Sequence, residues 1–358
     1  MALVSIIIPH YNRAKLLAET IDSVRRQSHA DWEVIVVDDG SDDQEWLAIQ
    51  LFADERIRII KRTDGLKGPS RCRNLGVAGA LGDYIMFLDS DDLLAPWCLS
   101  ERLQYAEELL GHDLLVFPVM LFEQTPGDLP VCWNRLEGDH DLERFLRSDP
   151  PWHTSSPLWC RDAFNRVGGF NEAVMYGDDA DLHVRALLTG LNYVKCPQSL
   201  PDVFIRRSAT ARITNSLGEA IQQSRLTRLI EGSNYLRIAG ARDEIQQIWE
   251  GQYFVEGEFL LFNAEQPGLW IHKVIKTWCT EYHPSLFRKL LVKVYFEIAQ
   301  LMRYRGYLML RLARRLVMLM LPQDFFPKGG SFHSHEIDPG VYSDLCHRLR
   351  DQTLGSVL

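Results

Sequence analysis

Three short apolar runs recur in the N-terminal part of the chain, and each one ends at polar side chains. The runs are Leu3–Ile8, Val34–Val37 and Tyr84–Leu88. Each is too short for a helix and lacks polar alternation, which is typical of a strand buried on both faces. Segments with helical periodicity lie between the runs. This alternation predicts an α/β fold with a Rossmann-like, mostly parallel central sheet and helices on both faces.

The polar residues that follow these runs are predicted to meet at one edge of the sheet. They are Tyr11–Asn12, Asp38–Asp39 and Asp89–Asp92. Open α/β sheets bind their ligands at the carboxyl ends of the strands. Three carboxylates within Asp89–Asp92 repel one another unless a cation lies among them, which favours a divalent ion shared with substrate phosphates. The alternative is an acidic helix start, with aspartates as N-caps before Leu93.

Two nucleotide-binding motifs are missing from the sequence. No G-x-G-x-x-G follows the first strand, and no G-x-x-x-x-G-K-S/T is present, which excludes a dinucleotide fingerprint and a P-loop. Gly68–Asn74 instead places two arginines at a predicted helix start. Backbone amides and guanidinium groups at such a position suit a diphosphate, although an ordinary loop with solvated arginines is the alternative.

Composition excludes several classes of protein. A formal net charge of −9 argues against a protein that binds nucleic acid. The seven cysteines contain no C-x-x-C pair, which supports neither a zinc cluster nor a disulfide framework. The N-terminus does not resemble a signal peptide, and no uncharged apolar stretch reaches the roughly 18 residues of a membrane span. We therefore expect a cytoplasmic protein.

Four motifs in register resemble those of the family 2 glycosyltransferases, inverting enzymes with the GT-A fold. The motifs are Val4–Asn12, Val36–Ser41, Arg71–Gly76 and Phe87–Asp92. The resemblance extends over residues 3–207. It implies a metal-dependent enzyme that moves a sugar from a nucleoside-diphosphate sugar to an acceptor hydroxyl.

The resemblance implies roles for matching residues. Pro9, Tyr11, Asn12 and Asp39 would bind the nucleotide, with Asp39 accepting hydrogen bonds from the base, and Arg73 would lie near the diphosphate. Asp89 and Asp91 match the Asp-x-Asp motif for Mg²⁺ or Mn²⁺. Asp91 would be the direct ligand, Asp89 would contact the ribose or a metal-bound water, and Asp92 would cap a helix.

An inverting transfer also needs a base that accepts the proton of the acceptor hydroxyl. Val167–Glu172 and Gly177–Leu182 resemble the family's Gly-Gly-Phe-Asp-Glu segment and its following Glu-Asp pair. Asp179 aligns with the catalytic aspartate, whereas Asp178 departs from the usual glutamate. Helix-start aspartates without catalytic function are the alternative. No histidine follows Arg206-Arg207, so we assign no third metal ligand, and either arginine can neutralise phosphate.

We expect three regions in the chain. Residues 1–215 are the predicted GT-A domain, with a nucleotide-sugar-binding half (1–118) and an acceptor and catalytic half (119–215). A helical region (216–325) and a loosely ordered tail (326–358) follow. Between Phe287 and Leu321 there are eight basic residues and one acidic residue among apolar ones. This segment suits an anionic membrane surface, packing on the acidic catalytic domain, or contact with another subunit in a homo-oligomer.

The implied activity belongs to polysaccharide or glycolipid synthesis, with a UDP-sugar as the favoured donor and a glycan or glycolipid as acceptor. The expected location is the cytoplasm, and peripheral attachment to the inner face of the cell membrane is expected if 287–321 takes the first of the three alternatives above. Two alternatives are a catalytically silent nucleotide-sugar-binding subunit and a sugar nucleotidyltransferase. The intact set of Asp89, Asp91 and Asp179 argues against a silent binding subunit. In a nucleotidyltransferase, Gly177–Asp179 would have no role.

Overall fold

The computed structural model describes residues 2–63, 65, 67–133, 135–207, 218–302, 307–321 and 334–355. The strands are β1 Val4–His10, β2 Trp32–Asp38, β3 Ile57–Lys61, β4 Tyr84–Phe87, β5 Leu93–Leu94, β6 Leu114–Val116, β7 Val119–Phe122, β8 Val131–Cys132, β9 Pro157–Cys160, β10 Tyr193–Lys195, β11 Val203–Arg206 and β12 His335–Glu336. The helices are α1 Ala14–Arg25, α2 Asp43–Gln50, α3 Pro69–Ala78, α4 Cys98–Glu108, α5 Asp141–Leu146, α6 Arg161–Val167, α7 Asp178–Leu188, α8 Glu219–Ile238, α9 Asp243–Asn263, α10 Pro267–Tyr282, α11 Leu286–Met302, α12 Tyr307–Met320 and α13 Pro339–Gly355.

A seven-stranded sheet forms the centre of the fold, in the order β10-β6-β9-β4-β1-β2-β3. β3, β2, β1 and β4 run parallel to one another, and β10 runs parallel to β6. β9 lies between β4 and β6 and is antiparallel to both. The predicted mostly parallel sheet is therefore confirmed, with a reversed strand inserted on one side.

Helices cover both faces of this sheet, as predicted. Alternate side chains of β1 enter two separate hydrophobic clusters because successive residues of a strand point to opposite faces. Ile7 packs in a cluster that includes Cys72 of α3, whereas Ile6 packs in a cluster that includes Leu17 of α1. All four side chains are completely buried.

A second, five-stranded sheet has the order β12-β8-β7-β11-β5. In it β5 pairs antiparallel with β11, so that Leu93 faces Phe204. The prediction that Asp92 caps a helix is therefore wrong: β5 follows it directly, and α4 begins only at Cys98. Asp92 Oδ1 instead accepts a hydrogen bond of 2.9 Å from the backbone nitrogen of Arg206.

The predicted helical region contains α8 to α12 in its described residues and shares a core with the sheet. Leu229 of α8, Trp249 of α9 and Phe296 of α11 are buried in the same cluster as Ile7. The predicted boundary at 215/216 lies outside the described residues, as do Arg303 and Arg305 of the basic segment.

The predicted loosely ordered tail is wrong for residues 334–355. β12 pairs antiparallel with β8, and α13 follows it. Ile337 and Leu345 are buried beside Phe204 and Met120, because the second sheet offers an apolar surface that nothing nearby in the sequence reveals. The rest of the predicted tail lies outside the described residues.

Candidate active site

Asp38 closes β2 and is fully buried. Its Oδ1 lies 3.1 Å from His10 Nδ1, and its Oδ2 accepts a hydrogen bond of 3.0 Å from the backbone nitrogen of Ser41. Burial acts to raise the pKa of Asp38, but hydrogen bonds with His10 and Ser41 outweigh it and hold the pKa below its ordinary value. A charged Asp38 therefore fixes the turn from which the next residue, Asp39, projects.

Asp39 is joined to an arginine that sequence reasoning missed. Arg62 Nε donates to Asp39 Oδ1 at 2.8 Å, and the Gly68 backbone nitrogen donates to Asp39 Oδ2 at the same distance. Arg62 has a side chain only 5% exposed. Its one signal in the sequence is its position just after β3, which pairs with β2 up to Asp38 and Lys61. The predicted base-binding residue thus belongs to a buried ion pair.

The other predicted nucleotide-binding residues lie at the same edge of the sheet. Pro9 is in register with Val37 of β2. Tyr11 is exposed, and Lys67 Nζ lies 4.1 Å from the centre of its ring. Asn12 has a positive φ of 49°, which asparagine tolerates. Its side-chain oxygen accepts a hydrogen bond from the backbone nitrogen of the residue that directly precedes α2. The structure therefore brings Pro9, Tyr11 and Asn12 next to the turn that carries Asp39.

The two carboxylates of the Asp-x-Asp motif each face an arginine. Arg73 donates to Asp89 Oδ1 at 2.8 Å, and Arg13 donates to Asp91 Oδ2 at 2.8 Å. The Asp89 side chain is 34% exposed and the Asp91 side chain is 14% exposed. Both carboxylates thus lie in reach of solvent beside fixed positive charge. Arg13 was not foreseen because its partner lies far away in the chain.

Arg73 joins the strand end to the start of α7. One terminal nitrogen donates to Asp89 and the other donates to Asp178 Oδ2, each at 2.8 Å. The Arg73 side chain is 5% exposed. Ser70, one turn earlier on α3, also donates to Asp178 Oδ2, at 3.1 Å. Because both terminal nitrogens bind carboxylates here, a direct contact of Arg73 with diphosphate stays a prediction.

The pKa values of the two carboxyl groups bound to Arg73 are shifted in opposite directions. Burial acts to raise the pKa of Asp89, but the positive charge of Arg73 outweighs it and holds that pKa below its ordinary value. Burial raises the pKa of Asp178 to about 6, with Asp179 and Asp89 adding to the rise and Arg73 opposing it. The site therefore contains one carboxylate held charged and another poised to bind a proton.

Asp179, the predicted base, lies in the first turn of α7. Its Oδ2 accepts a hydrogen bond of 3.2 Å from Thr154 Oγ1, and its Oδ1 accepts one of 2.8 Å from the Ala180 backbone nitrogen. Each carboxylate oxygen has two lone pairs, so both retain the capacity to accept a further proton or hydrogen bond. The preceding Gly177 takes a left-handed φ of 67°, which lets the chain enter the helix here.

Aromatic packing fixes α7 one turn beyond Asp179. His183 is buried with its ring centre 5.5 Å from that of Trp152 and 5.8 Å from that of Trp159. Burial lowers the pKa of His183 to about 3, so the ring is neutral. Sequence reasoning missed this packing, since a histidine on a helix carries no signal of its surroundings.

The residues present fit a divalent cation that is completed by substrate. Across the described ranges, no group of three or more histidine, cysteine or acidic side chains is arranged to hold a metal ion. Mg²⁺ and similar ions commonly bind one or two carboxylates together with substrate phosphates. Asp89 and Asp91 supply such a pair of oxygen donors, and Asp89 is accessible from solvent.

Arg206 forms a hydrogen bond with the backbone of the Asp-x-Asp turn. Its Nε donates to the backbone oxygen of Asp91 at 2.9 Å, and a terminal nitrogen donates to Glu19 at 2.6 Å. The structure therefore gives Arg206 a structural contact with the turn, and a role in neutralising phosphate stays a prediction.

The sequence is similar to known glycosyltransferases. A sequence model of the family described as Glycosyl transferase family 2 matches residues 5–158. The chain is 36% identical over 250 residues to a Campylobacter jejuni protein named GalNAc(5)-diNAcBac-PP-undecaprenol beta-1,3-glucosyltransferase, covering 68% of this chain and 78% of that protein. The chain belongs to glycosyl transferase family 2.

Other relatives match over shorter stretches. WfgD of Escherichia coli, named UDP-Glc:alpha-D-GlcNAc-diphosphoundecaprenol beta-1,3-glucosyltransferase, is 41% identical over 91 residues, which are 25% of this chain and 36% of WfgD. The chain spans only 17% of the length of the Rickettsia felis glycosyltransferase to which it is 43% identical over 106 residues.

The fold of this family 2 member is also found in solved structures. Residues 1–349 of Staphylococcus aureus TarS, in complex with UDP-GlcNAc, superpose with a TM-score of 0.65 at 16% identity, covering 88% of this chain and 92% of that one. At this identity the likeness shows the fold alone, which is GT-A as predicted.

Proposed function

We propose that this protein is an inverting glycosyltransferase that moves a sugar from a nucleoside-diphosphate sugar to an acceptor hydroxyl. One observation carries the proposal: Arg73 binds Asp89 and Asp178 at 2.8 Å each, beside Asp179. This link supports the proposal that Asp89, predicted for the donor, and Asp179, the predicted base, act in one site. We further propose 1–215 as the catalytic unit, with 1–118 binding donor and 119–215 binding acceptor.

The donor that we propose is a UDP-sugar. Pro9, Tyr11, Asn12 and Asp39 would bind its nucleotide part, with Asp39 held in place by Arg62 and Gly68. WfgD is named as a transferase that uses UDP-Glc. An exposed aromatic ring at Tyr11 offers a face on which a nucleotide base can stack.

Mg²⁺ or Mn²⁺ is the cofactor that we propose. Asp91 would bind the ion directly, and Asp89 would contact the ribose or a metal-bound water. When bound, such an ion neutralises the charge that develops on a departing diphosphate.

Asp179 is the base in the mechanism that we propose. It takes the proton of the acceptor hydroxyl as that oxygen attacks the anomeric carbon from the side opposite the diphosphate. The bond from the anomeric carbon to the phosphate oxygen breaks, the nucleoside diphosphate leaves with the bonding electrons, and the configuration inverts. Thr154 orients one Asp179 oxygen, and Arg73 holds the neighbouring Asp178, so the base enters the reaction with a fixed geometry.

The acceptor class that we propose is a glycolipid in surface polysaccharide synthesis. The Campylobacter jejuni and Escherichia coli relatives are both named for acceptors linked to undecaprenol through a diphosphate. The location that we propose is the cytoplasm, because all seven cysteines are free thiols, as expected in a reducing compartment.

The proposal is tested by separating donor binding from transfer. A panel of nucleotide sugars is screened with Mg²⁺ or Mn²⁺, and with EDTA, for release of nucleoside diphosphate with and without diphosphoundecaprenol-linked acceptors. Asp179→Asn is expected to keep donor affinity and lose transfer at least a hundredfold, the usual contribution of a general base. Asp162→Asn removes an exposed carboxylate from the first turn of α6 and serves as the control. Weak donor binding with normal turnover in Asp179→Asn would reject the assigned role.

A further inference from the structure

Helix α11 has two apolar faces rather than one. Its inner face is buried in the core through Val292, Tyr295, Phe296 and Ala299. A second set of apolar side chains lies on the opposite side and is exposed. Its members, with their exposed fractions, are Phe287 (62%), Leu290 (52%), Val294 (53%), Ile298 (37%) and Leu301 (77%). Their spacing of three or four residues places them in one stripe along the helix.

Helix α12 packs beside α11 and has the same character. Val317 is buried in the core, whereas Leu312, Leu316 and Leu319 are exposed by 47%, 59% and 82%. We call the exposed side chains of both helices the docking face: Phe287, Leu290, Val294, Ile298, Leu301, Leu312, Leu316 and Leu319. A helix that only packs on its own protein needs a single apolar face, so the docking face requires another explanation.

Basic residues accompany the docking face. Lys293 and Arg315 are exposed on the same two helices. Two arginines of these helices also donate to acids of α9: Arg288 to Glu250 at 2.8 Å, and Arg314 to Glu258 at 2.9 Å.

This positive segment contrasts with the net charge of the whole chain. The chain carries −9, whereas Phe287–Leu321 contains eight basic residues and one acidic residue, Glu297. The segment therefore attracts an anionic partner, although the chain as a whole would repel one.

We propose that the docking face lies on an anionic lipid bilayer, with α11 and α12 parallel to its surface. A helix that lies in the membrane interface buries apolar side chains at the boundary of the acyl chains, and its lysines and arginines bind anionic headgroups. The docking face and the basic residues beside it supply both. No helix among the described residues has the length and apolarity to cross a membrane. A second copy of the chain fits less well, because a two-fold contact would bring identical basic residues together.

This inference deepens the proposed function and rests on it for its purpose, since a lipid-linked acceptor is presented at a bilayer. The test, however, needs no turnover. The full-length protein is sedimented with vesicles of phosphatidylcholine alone or mixed with phosphatidylglycerol. We expect binding to be about tenfold or more stronger with phosphatidylglycerol, and to weaken with salt.

Two double variants separate the apolar contribution from the basic one. Leu290→Gln with Val294→Gln, and Lys293→Glu with Arg315→Glu, are each expected to weaken vesicle binding about tenfold or more. Leu51→Gln with Leu110→Gln changes two leucines that are 84% and 81% exposed elsewhere, and should bind as the unmodified protein does. Circular dichroism melts verify that each variant is folded.

Two results would overturn the proposal. The first is vesicle binding that is absent in the unmodified protein or unchanged in both folded variants. The second is a dimer, seen by light scattering, that Leu290→Gln with Val294→Gln converts to monomer, because the docking face would then join two copies. If the unmodified protein binds vesicles but transfers no sugar, the proposed function is rejected, whereas the proposed membrane contact of the docking face is retained.

Discussion

Asp178 is expected to make the folded protein less stable as the pH rises, because burial raises its pKa to about 6 from an ordinary value of 3.8. A carboxyl with a raised pKa in the folded state binds its proton more tightly there than in the unfolded chain. Its stabilising effect is present below pH 3.8 and is lost as the pH rises through about 6. At roughly 1.4 kcal/mol per pKa unit, ionisation of Asp178 costs about 3 kcal/mol at neutral pH.

Asp178→Asn removes this titration while keeping the shape of the side chain. Asparagine can still accept a hydrogen bond from Arg73 through its oxygen, and it carries no charge at any pH. The quantity to compare is the difference in the free energy of unfolding, variant minus unmodified protein. We expect this difference to increase by about 2–3 kcal/mol between about pH 4 and about pH 7.5.

Urea unfolding at both pH values, in EDTA so that no metal occupies the site, measures this difference. Asp162→Asn, which removes an exposed carboxylate, is measured alongside as the control. A difference between Asp178→Asn and the unmodified protein that stays constant across this range would refute the reasoning. It would mean that Arg73, at 2.8 Å, outweighs burial and keeps Asp178 charged throughout.

Three further changes address other parts of the site. Asp91→Ala should abolish metal-dependent release of nucleoside diphosphate, because it removes the proposed direct ligand; undiminished release would sink that assignment. Arg62→Gln should weaken donor binding about tenfold by calorimetry, since a charge-assisted hydrogen bond that positions Asp39 contributes roughly 1.5–3 kcal/mol; unchanged affinity would count against a donor role for Asp39. Thr154→Val should lower kcat about three- to tenfold at unchanged donor affinity, because one hydrogen bond to the base is lost; an equal loss of donor affinity would contradict this role.

Much of the fold is predictable because its signals are local. β1, β2 and β4 are apolar runs that can be recognised directly in the sequence, and parallel strands place their polar ends at one edge. That rule alone predicts that Tyr11, Asp39 and Asp89 lie together, and the motif around Asp179 adds the second half of the site.

What could not be predicted depends on partners distant in the chain. Asp92 has the local signature of a helix cap, yet β5 pairs with β11, more than a hundred residues away, and a strand forms instead. Arg13 and Arg62 look like solvated arginines until the fold brings Asp91 and Asp39 to them. β12 and α13 could not be predicted for the same reason, because the surface on which they pack is built by strands distant in the chain.

The reversed strand β9 has a consequence for how such an enzyme can diversify. Val116 at the end of β6 and Pro157 at the start of β9 are paired in register, so everything between them leaves the sheet and returns to the same point. A segment whose two ends already touch closes at little cost in chain entropy. This segment, residues 117–156, nevertheless includes β7, the central strand of the second sheet, which pairs with β11. Because β11 carries Arg206, which bonds the Asp91 backbone, and the segment itself carries Thr154, which bonds Asp179, a change in 117–156 reaches the Asp-x-Asp turn and the proposed base together.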